Sequence, residues 1–558
     1  VTKSTAVISL VLILIAMAYA GPADEAAEKA AEYLVNGNIA MAETVIDSAL
    51  LSFPDDFKLL TVKGQILQSK TDYQGALQCF DKALAQKSKD PDALYGAGMV
   101  LISLDDPQKA LEYFERGLDS NKRKDDFLYG TSIAEMKLGK LAEADADIRK
   151  AINHDKKNPI FHRTLGDINY RKQVWSIAIN EYRQALEFDS TQTDLLYKIA
   201  RASFFSLNFT DAVKYYRDYL KLAGSDTTAW RELGLILEKS NNPAEAVFCY
   251  NALAELLPDD GENWFRLGEL QFGLNNYQAA GIAFENTVAL GAHVPESYQR
   301  LATIYQANKE YFKADSAYAR FEQAMGAPDD PEYWSEKGKV MLKIGQKDAT
   351  FFEKAKLAFD KAISLDSANA SSWEHGGLAR YYRQEFAAAI PYFKKRLELG
   401  GENVNALRNL AFCYLKTEQY PTAAATLEKA ITLKPDDATM RQMLGKIYLF
   451  LQKFPEAIGH LQVALADTAG EISAADKCKI SGDIGYCYVQ LREPVNAIPP
   501  LERAVKCEPK NTDYLLNLAS AYHLDQKLES ANEYYKLVMD LDPNNKAAKE
   551  GYLRTKPR

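Results

Sequence analysis

The stretch WRELGLILEKSNNPAEAVFCYNALAELLP, Trp230 to Pro258, is followed six residues later by WFRLGELQFGLNNYQAAGIAFENTVAL, which begins at Trp264. Trp230 and Trp264, Leu233 and Leu267, Gly234 and Gly268, and Ala246 and Ala280 are all 34 residues apart. A phrase repeated at a fixed period of this size marks a structural unit that stacks on copies of itself. Stepping outward by 34, repeats 1 to 9 start at Ala23, Phe57, Pro91, Asp125, Pro159, Thr193, Thr227, Gly261 and Pro295 without a change of register. Two extra residues precede repeat 10 at Pro331, which carries an insertion near 346–354. Repeats 11 to 13 start at Ala370, Val404 and Ala438. The six residues EISAAD then intervene before repeats 14 and 15, at Cys478 and Thr512.

One column of this frame is uniform. Position 20 is Ala42, Ala76, Ala110, Ala144, Ala178, Ala212, Ala246, Ala280, Ala314, Ala355, Ala389, Ala423, Ala457, Ala497 and Ala531, fifteen Ala in fifteen repeats. Position 8 is always small, as in Gly64, Gly98, Ser132 and Gly166, and position 24 is aromatic or branched, as in Phe80, Phe114, Tyr182 and Tyr250. Apolar residues at 4, 7 and 11 share one face of a first helix (helix A), and those at 20, 24 and 27 share one face of a second (helix B). Breakers such as SNNP and LDDP separate the two, and a Pro near position 32 stops the second. Each repeat is thus a helical hairpin whose small residues admit close helix contact, and a lone hairpin cannot bury its apolar face.

The pattern of Trp230, Leu233, Gly234, Ala246, Tyr250 and Pro258, echoed by Trp264, Leu267, Gly268, Ala280 and Phe284, resembles the signature of the tetratricopeptide repeat family. The resemblance implies an all-α, right-handed superhelical α-solenoid of about fifteen hairpins, with helix A of each lining a concave groove. It also implies a scaffold that holds proteins or peptides.

Residues 1–20, VTKSTAVISLVLILIAMAYA, stand apart from the repeats. Lys3, an apolar run from Ala6 to Ala18 and the small-x-small ending Ala18-Tyr19-Ala20 have the layout of a secretory signal peptide. The run is shorter than the roughly 20 residues of a bilayer span. The expected mature protein begins at Gly21 and is periplasmic or secreted. The alternative is an uncleaved N-terminal anchor. The organisation read from the sequence is a signal at 1–20, nine repeats at 21–328, repeats with an insertion at 329–471, two C-terminal repeats at 472–545 and a capping tail at 546–558.

Composition narrows the function. The chain of 558 residues has a formal net charge of −9, without the basic excess of a nucleic-acid footprint. It lacks G-x-S-x-G, H-E-x-x-H, a P-loop and a dinucleotide fingerprint, and its six His have no ligand spacing. No catalytic residue, metal or cofactor is expected, and neither is membrane insertion after cleavage. Cys79 and Cys249 at position 23, and Cys413 and Cys487 at position 10, suit packing. Cys487 and Cys507, on the two helices of one hairpin, are the pair considered for a disulfide.

By the family resemblance, variable positions 2, 5, 9, 12 and 13 of helix A face the groove. In repeats 5 to 8 these bring Arg163, Arg171, Tyr197, Arg201, Phe204, Phe205, Arg231, Phe265 and Phe272 to the candidate partner-binding surface, since Arg and aromatics dominate binding hot spots. A second cluster is Glu374, Tyr381, Tyr382, Arg408 and Phe412. The Lys/Asn clamp of chaperone-binding family members is absent, because Glu374 and Leu378, or Gly482 and Tyr486, stand where it needs Lys and Asn. The expected function is an exported, non-catalytic scaffold, as in envelope assembly, secretion or polysaccharide export. The alternative is a substrate-recruiting subunit acting in trans with an enzyme such as a glycosyltransferase. Finally, position 27 is Ala or Gly in repeats 1 to 5 but Tyr219, Leu253, Thr287 and Phe321 in repeats 6 to 9, which predicts altered curvature across 193–328.

Overall fold

The computed structural model describes residues 21–119 and 122–556, so the export reading of residues 1–20 lies outside the described residues. The described secondary structure is 31 helices, from Pro22–Val35 to Lys546–Thr555, with no strand among the described residues. They alternate as helices A and B of the fifteen repeats, followed by one terminal helix. The chain forms two compact units, one ending at Ala280 and one starting at Gly281. Within each of them, helix A packs on its own helix B, and helix B packs on the next helix A, which is the α-solenoid arrangement.

The uniform column has a direct physical cause. All fifteen position-20 Ala are 0% exposed. The small residue at position 8 is explained by the ring at position 24 that lies on it. A Cβ added to Gly64 would stand 2.7 Å from the Phe80 ring, and one added to Gly338 would stand 2.7 Å from Phe359. A methyl group at either site would push the ring out of its socket.

Local signals start and stop the helices. Asp56, Asp90, Asn158, Asp226, Asp260, Asn369 and Asp437 sit at helix-A N-caps, and each side chain accepts a hydrogen bond from a first-turn N–H. The A–B turn needs a left-handed residue at position 15. Gly37 and Gly139 meet this need without strain, while Thr71 (φ 64°) and Leu207 (φ 61°) adopt it despite their side chains. The Trp of the opening motif has a similar role. Trp230 Nε1 donates to Gly224 O at 2.8 Å and Trp264 Nε1 to Pro258 O at 2.8 Å, and Trp334 and Trp373 bond equivalent carbonyls. Each indole pins the loop that delivers the chain into its repeat.

Two irregularities differ from the sequence reading or add detail to it. In repeat 10 the insertion is absorbed mostly as helix, since Pro331–Gly345 and Phe351–Leu365 are both 15 residues long. Before repeat 14, EISAAD is not a plain linker. Its last residues join helix A, which runs from Ala474 to Gln490, while Glu471 turns back to accept from the Ala438 N–H at 2.9 Å. The tail forms the helix Lys546–Thr555, with Ala548, Gly551 and Thr555 buried against the last repeat.

The disulfide is a correction. Cys507 pairs with Cys478, Cα–Cα 6.2 Å, and not with Cys487. Antiparallel helices place the start of helix A beside the end of helix B. Cys507 ends helix Pro494–Cys507, whereas Cys487 lies near the turn, about 15 Å away along the axis. Cys487 is instead fully buried.

In repeats 6 to 8 the position-27 exchange is matched by an opposite exchange at position 3 of the next repeat. Gly117 gives room to the Phe127 ring, which lies against it. Tyr219 is followed by Ala229, Leu253 by Asn263 and Thr287 by Ser297, all three buried. In repeat 9 the large Phe321 meets a large Tyr333 instead, 5.2 Å between ring centres, so the swap of large and small covers three of the four repeats in which position 27 departs from Ala or Gly.

Candidate functional site

The nine residues singled out in repeats 5 to 8 are held by their own chain. Arg163 pairs with Asp194 at 2.8 Å, Arg201 with Glu232 at 3.3 Å and Arg231 with Asp260 at 2.7 Å. In each case a cation on one helix A meets a carboxylate at, or just before, the next helix A. Lys198 follows the reverse direction, reaching back to Asp167 at 2.6 Å. Arg171 donates to the Met136 carbonyl at 3.1 Å.

The aromatics pack in the same stepwise way. Phe205 stacks on Trp175 at 5.0 Å between ring centres and touches Phe204, and Arg201 lies over both Tyr197 and Phe205. Phe204 also packs on Phe209, and Phe272 on Tyr277. Phe265 is half-buried on the same helix as Phe272. Tyr197, Arg201, Phe204 and Phe205 therefore form one cluster, with Phe205 still 44% exposed. Trp175 belongs to it and was missed, because it starts helix B rather than ending helix A.

The second cluster, in repeats 11 to 13, is built from the same residue types with a different outcome. Tyr381 packs on Phe412 at 5.2 Å and on Phe386, while Tyr382 stacks on Phe352 at 5.1 Å. One repeat on, Tyr420 stacks on Phe450 at 5.0 Å with planes only 12° apart. Glu374 is neutralised by the half-buried Arg396 at 3.0 Å. Among the described residues Arg408, Lys416 and Lys446 have no carboxylate within ion-pair distance, and Lys416 lies over the Phe412 ring at 5.4 Å. A cleft of about 480 Å³ lies between these two helices A, bounded by Phe412, Lys416, Tyr420, Lys446 and Phe450. Lys416, Tyr420, Lys446 and Phe450 were not picked out from the sequence. The recurrence of an aromatic at position 17 of one repeat and position 13 of the next is the signal that would have found the stack.

Other features belong to stability. His162 (4% exposed) and Glu181 (9% exposed) meet at 2.7 Å in repeat 5, and this bond raises the imidazole pKa. Burial pushes Glu135 up to about 7, with Asp147 and Glu143 adding repulsion, and its Oε2 has no hydrogen-bond partner. Burial likewise raises Cys413 and Cys487 to about 12, which suits inert packing. Among the described residues no cluster of His, Cys, Asp or Glu could hold a metal ion, and no helix is long and apolar enough to cross a membrane.

Comparison with known proteins places these repeats. Models described as "Tetratricopeptide repeat" match residues 27–91, 61–127, 228–270, 375–438, 413–472 and 512–545. A BBSome complex member BBS4 homolog of Drosophila melanogaster is 30% identical over 34% of this chain and 45% of its own length. The Protein O-mannosyl-transferase TMTC3 of Homo sapiens is 26% identical over 44% of this chain and 26% of its own. The Peroxisomal targeting signal receptor of Candida albicans is 33% identical over 24% and 23%. The chain thus spans less than half the length of these relatives. Among solved structures, Pseudomonas aeruginosa PilF is 17% identical over 36% of this chain and 91% of its own, with a TM-score of 0.33. The APC/C hetero-tetramer Cut9-Hcn1 is 14% identical over 90% of this chain and 96% of its own, with a TM-score of 0.30. The buried Ala column, the hairpin stack and the family matches lead to one conclusion: the chain belongs to the tetratricopeptide repeat family.

Proposed function

We propose that this protein is an exported, non-catalytic scaffold that binds protein or peptide partners along the groove lined by its A helices, in an assembly outside the cytoplasm. The observation that carries the reading is the aromatic and cationic lining of successive A helices, with Phe205 and Phe450 left exposed. Exposed aromatics beside Arg and Lys, on a rigid stack, are the chemistry of protein interfaces. Two features support export. Residues 1–20 have the layout of a cleaved signal. The Cys478–Cys507 bridge suits an oxidising compartment.

The test is affinity capture followed by mass spectrometry, using wild type and the triple variant Arg201→Ala, Phe205→Ala, Arg231→Ala. Loss of a specific partner with unchanged helical content supports the reading for repeats 6 and 7, and full retention moves the site elsewhere. N-terminal sequencing that finds residues 1–20 retained in a membrane fraction would favour the anchored form. A second reading is an accessory that recruits substrate for a separate enzyme such as a glycosyltransferase. It draws on the partial match to the mannosyl-transferase, and co-purification with such an enzyme would favour it.

A further inference from the structure

We infer that the helix-A face of repeats 11 to 13 holds an extended polypeptide segment bearing two carboxylates about four residues apart with an apolar or aromatic residue between them. The inference rests on the groove reading above and assigns that groove a place and a ligand chemistry.

Three observations carry it. The first is charge. Arg408 and Lys416 project from one helix A without a carboxylate at ion-pair distance among the described residues, Lys446 on the next helix A has the half-buried Asp483 and Asp476 within electrostatic reach, and the nearby Glu374 is already neutralised by Arg396. In a chain of net charge −9, this local surplus of cations is complementary to an acidic ligand. The corresponding cations of repeats 5 to 7 are already paired.

The second is spacing. Arg408 and Lys416 lie eight residues apart on helix Val404–Lys416, about 12 Å along its axis. Lys446 stands on the next helix A, Ala438–Phe450, across the cleft from Lys416. Charges this far apart do not converge on one small anion. An extended chain advances about 3.3 Å per residue, so carboxylates four residues apart span about 13 Å and match the gap.

The third is the surface between the charges. The Tyr420–Phe450 stack, with Phe450 60% exposed, forms one flank of the cleft of about 480 Å³, and Phe412 forms another. A flat aromatic face beside a cleft accepts one apolar side chain from the segment. A nucleic-acid strand would use the same rings, but three cations neutralise little of its backbone.

The test is fluorescence anisotropy with the full chain and a labelled peptide, Gly-Ser-Asp-Ser-Phe-Ser-Asp-Ser-Gly. Controls are the same peptide with both Asp replaced by Asn, and a single-stranded oligouridylate. Saturable binding of the acidic peptide is expected, weakened about tenfold or more by the Asn replacements and by Arg408→Glu with Lys446→Glu. Phe450→Ala should also weaken it, and Arg201→Ala with Arg231→Ala should not. Should the double reversal disturb the far-ultraviolet circular dichroism, Lys416→Glu, on an exposed side chain, carries the test and should cost severalfold. Absence of binding, equal binding of the Asn peptide, insensitivity to charge reversal, or preference for the oligonucleotide each overturns the inference. If partner capture depends on Arg201, Phe205 and Arg231 while the peptide fails, the inference falls and the groove reading stands. If no helix-A variant affects capture, the groove reading falls as well.

Discussion

Repeats 5 to 7 and repeats 11 to 13 use nearly the same side chains on the same face of helix A, yet they end in different electrostatic states. In the first region Arg163, Arg201 and Arg231 each find a carboxylate at the next helix A. In the second, the residues one repeat after Arg408 are Thr439, Gln442 and Met443, and that cation remains uncompensated. An arginine in a repeat protein therefore becomes stitching or a binding group according to what its neighbour places opposite it. The first region uses these cations for cohesion between repeats, and in the second Arg408 and Lys416 stay without an ion-pair partner among the described residues.

The largest expected effect breaks the first region from within. His162→Ala strands Glu181 in the core of repeat 5 and should cost about 3–5 kcal/mol in urea unfolding. The pH dependence has a definite sign. The imidazole pKa is raised by Glu181, so the bond contributes fully below the ordinary His value. Its contribution fades as pH rises through the raised value. The wild type should lose this increment as pH rises through the raised imidazole value, and the variant should not.

Next comes the disulfide beside the second region. Cys478→Ser with Cys507→Ser, or reduction by dithiothreitol, should cost about 3 kcal/mol, because the bridge closes a loop of 29 residues. Helix Pro494–Cys507 is already weakened by internal Pro499 and Pro500, which lack N–H donors. Hydrogen exchange should accelerate in repeats 14 and 15 and leave repeats 5 to 7 unchanged, since solenoid stability is local. Uniform acceleration would contradict that independence.

A smaller change should stabilise. Glu135, pushed up to about 7 by burial, holds its proton more tightly in the folded state than in the unfolded one. It therefore costs stability progressively as pH rises from about 4.5 to 7. Glu135→Gln should raise the melting temperature at pH 8, by about 1 kcal/mol in stability, and have little effect at pH 4.

The smallest effect on stability is the sharpest test of the comparison. Asp194→Asn with Glu232→Gln removes partially exposed ion pairs and should cost about 0–1 kcal/mol for each. It would also free Arg163 and Arg201, giving the first region the character of the second. The variant should gain measurable affinity for the acidic peptide in anisotropy. Unchanged affinity would mean that shape, rather than unpaired charge, distinguishes the two regions.

The hairpins, the period and the packing columns were legible because each is written many times in residues that contact their own or the adjacent helix. Ala at position 20 admits one explanation once it appears in all fifteen repeats and is buried in each. The cluster of Tyr197, Arg201, Phe204 and Phe205 was picked out through the family resemblance, which puts positions 5, 9, 12 and 13 of helix A on one face. Trp175 and Phe450 were not, because their stacks join the start of one helix B to the end of the following helix A. The Cys478–Cys507 bridge lay within reach of simple helix arithmetic, since residues equally far from the turn of an antiparallel hairpin stand side by side.

By itself, the sequence determined that this chain is a stack of helical hairpins and which small residues hold the helices together. Those properties follow from 3.6-residue periodicity, capping and side-chain volume, which act within a hairpin. Only the tertiary structure decided which cations are paired and which rings remain uncovered. These depend on distances of a few ångströms between side chains some thirty residues apart, set by how one repeat seats on the next.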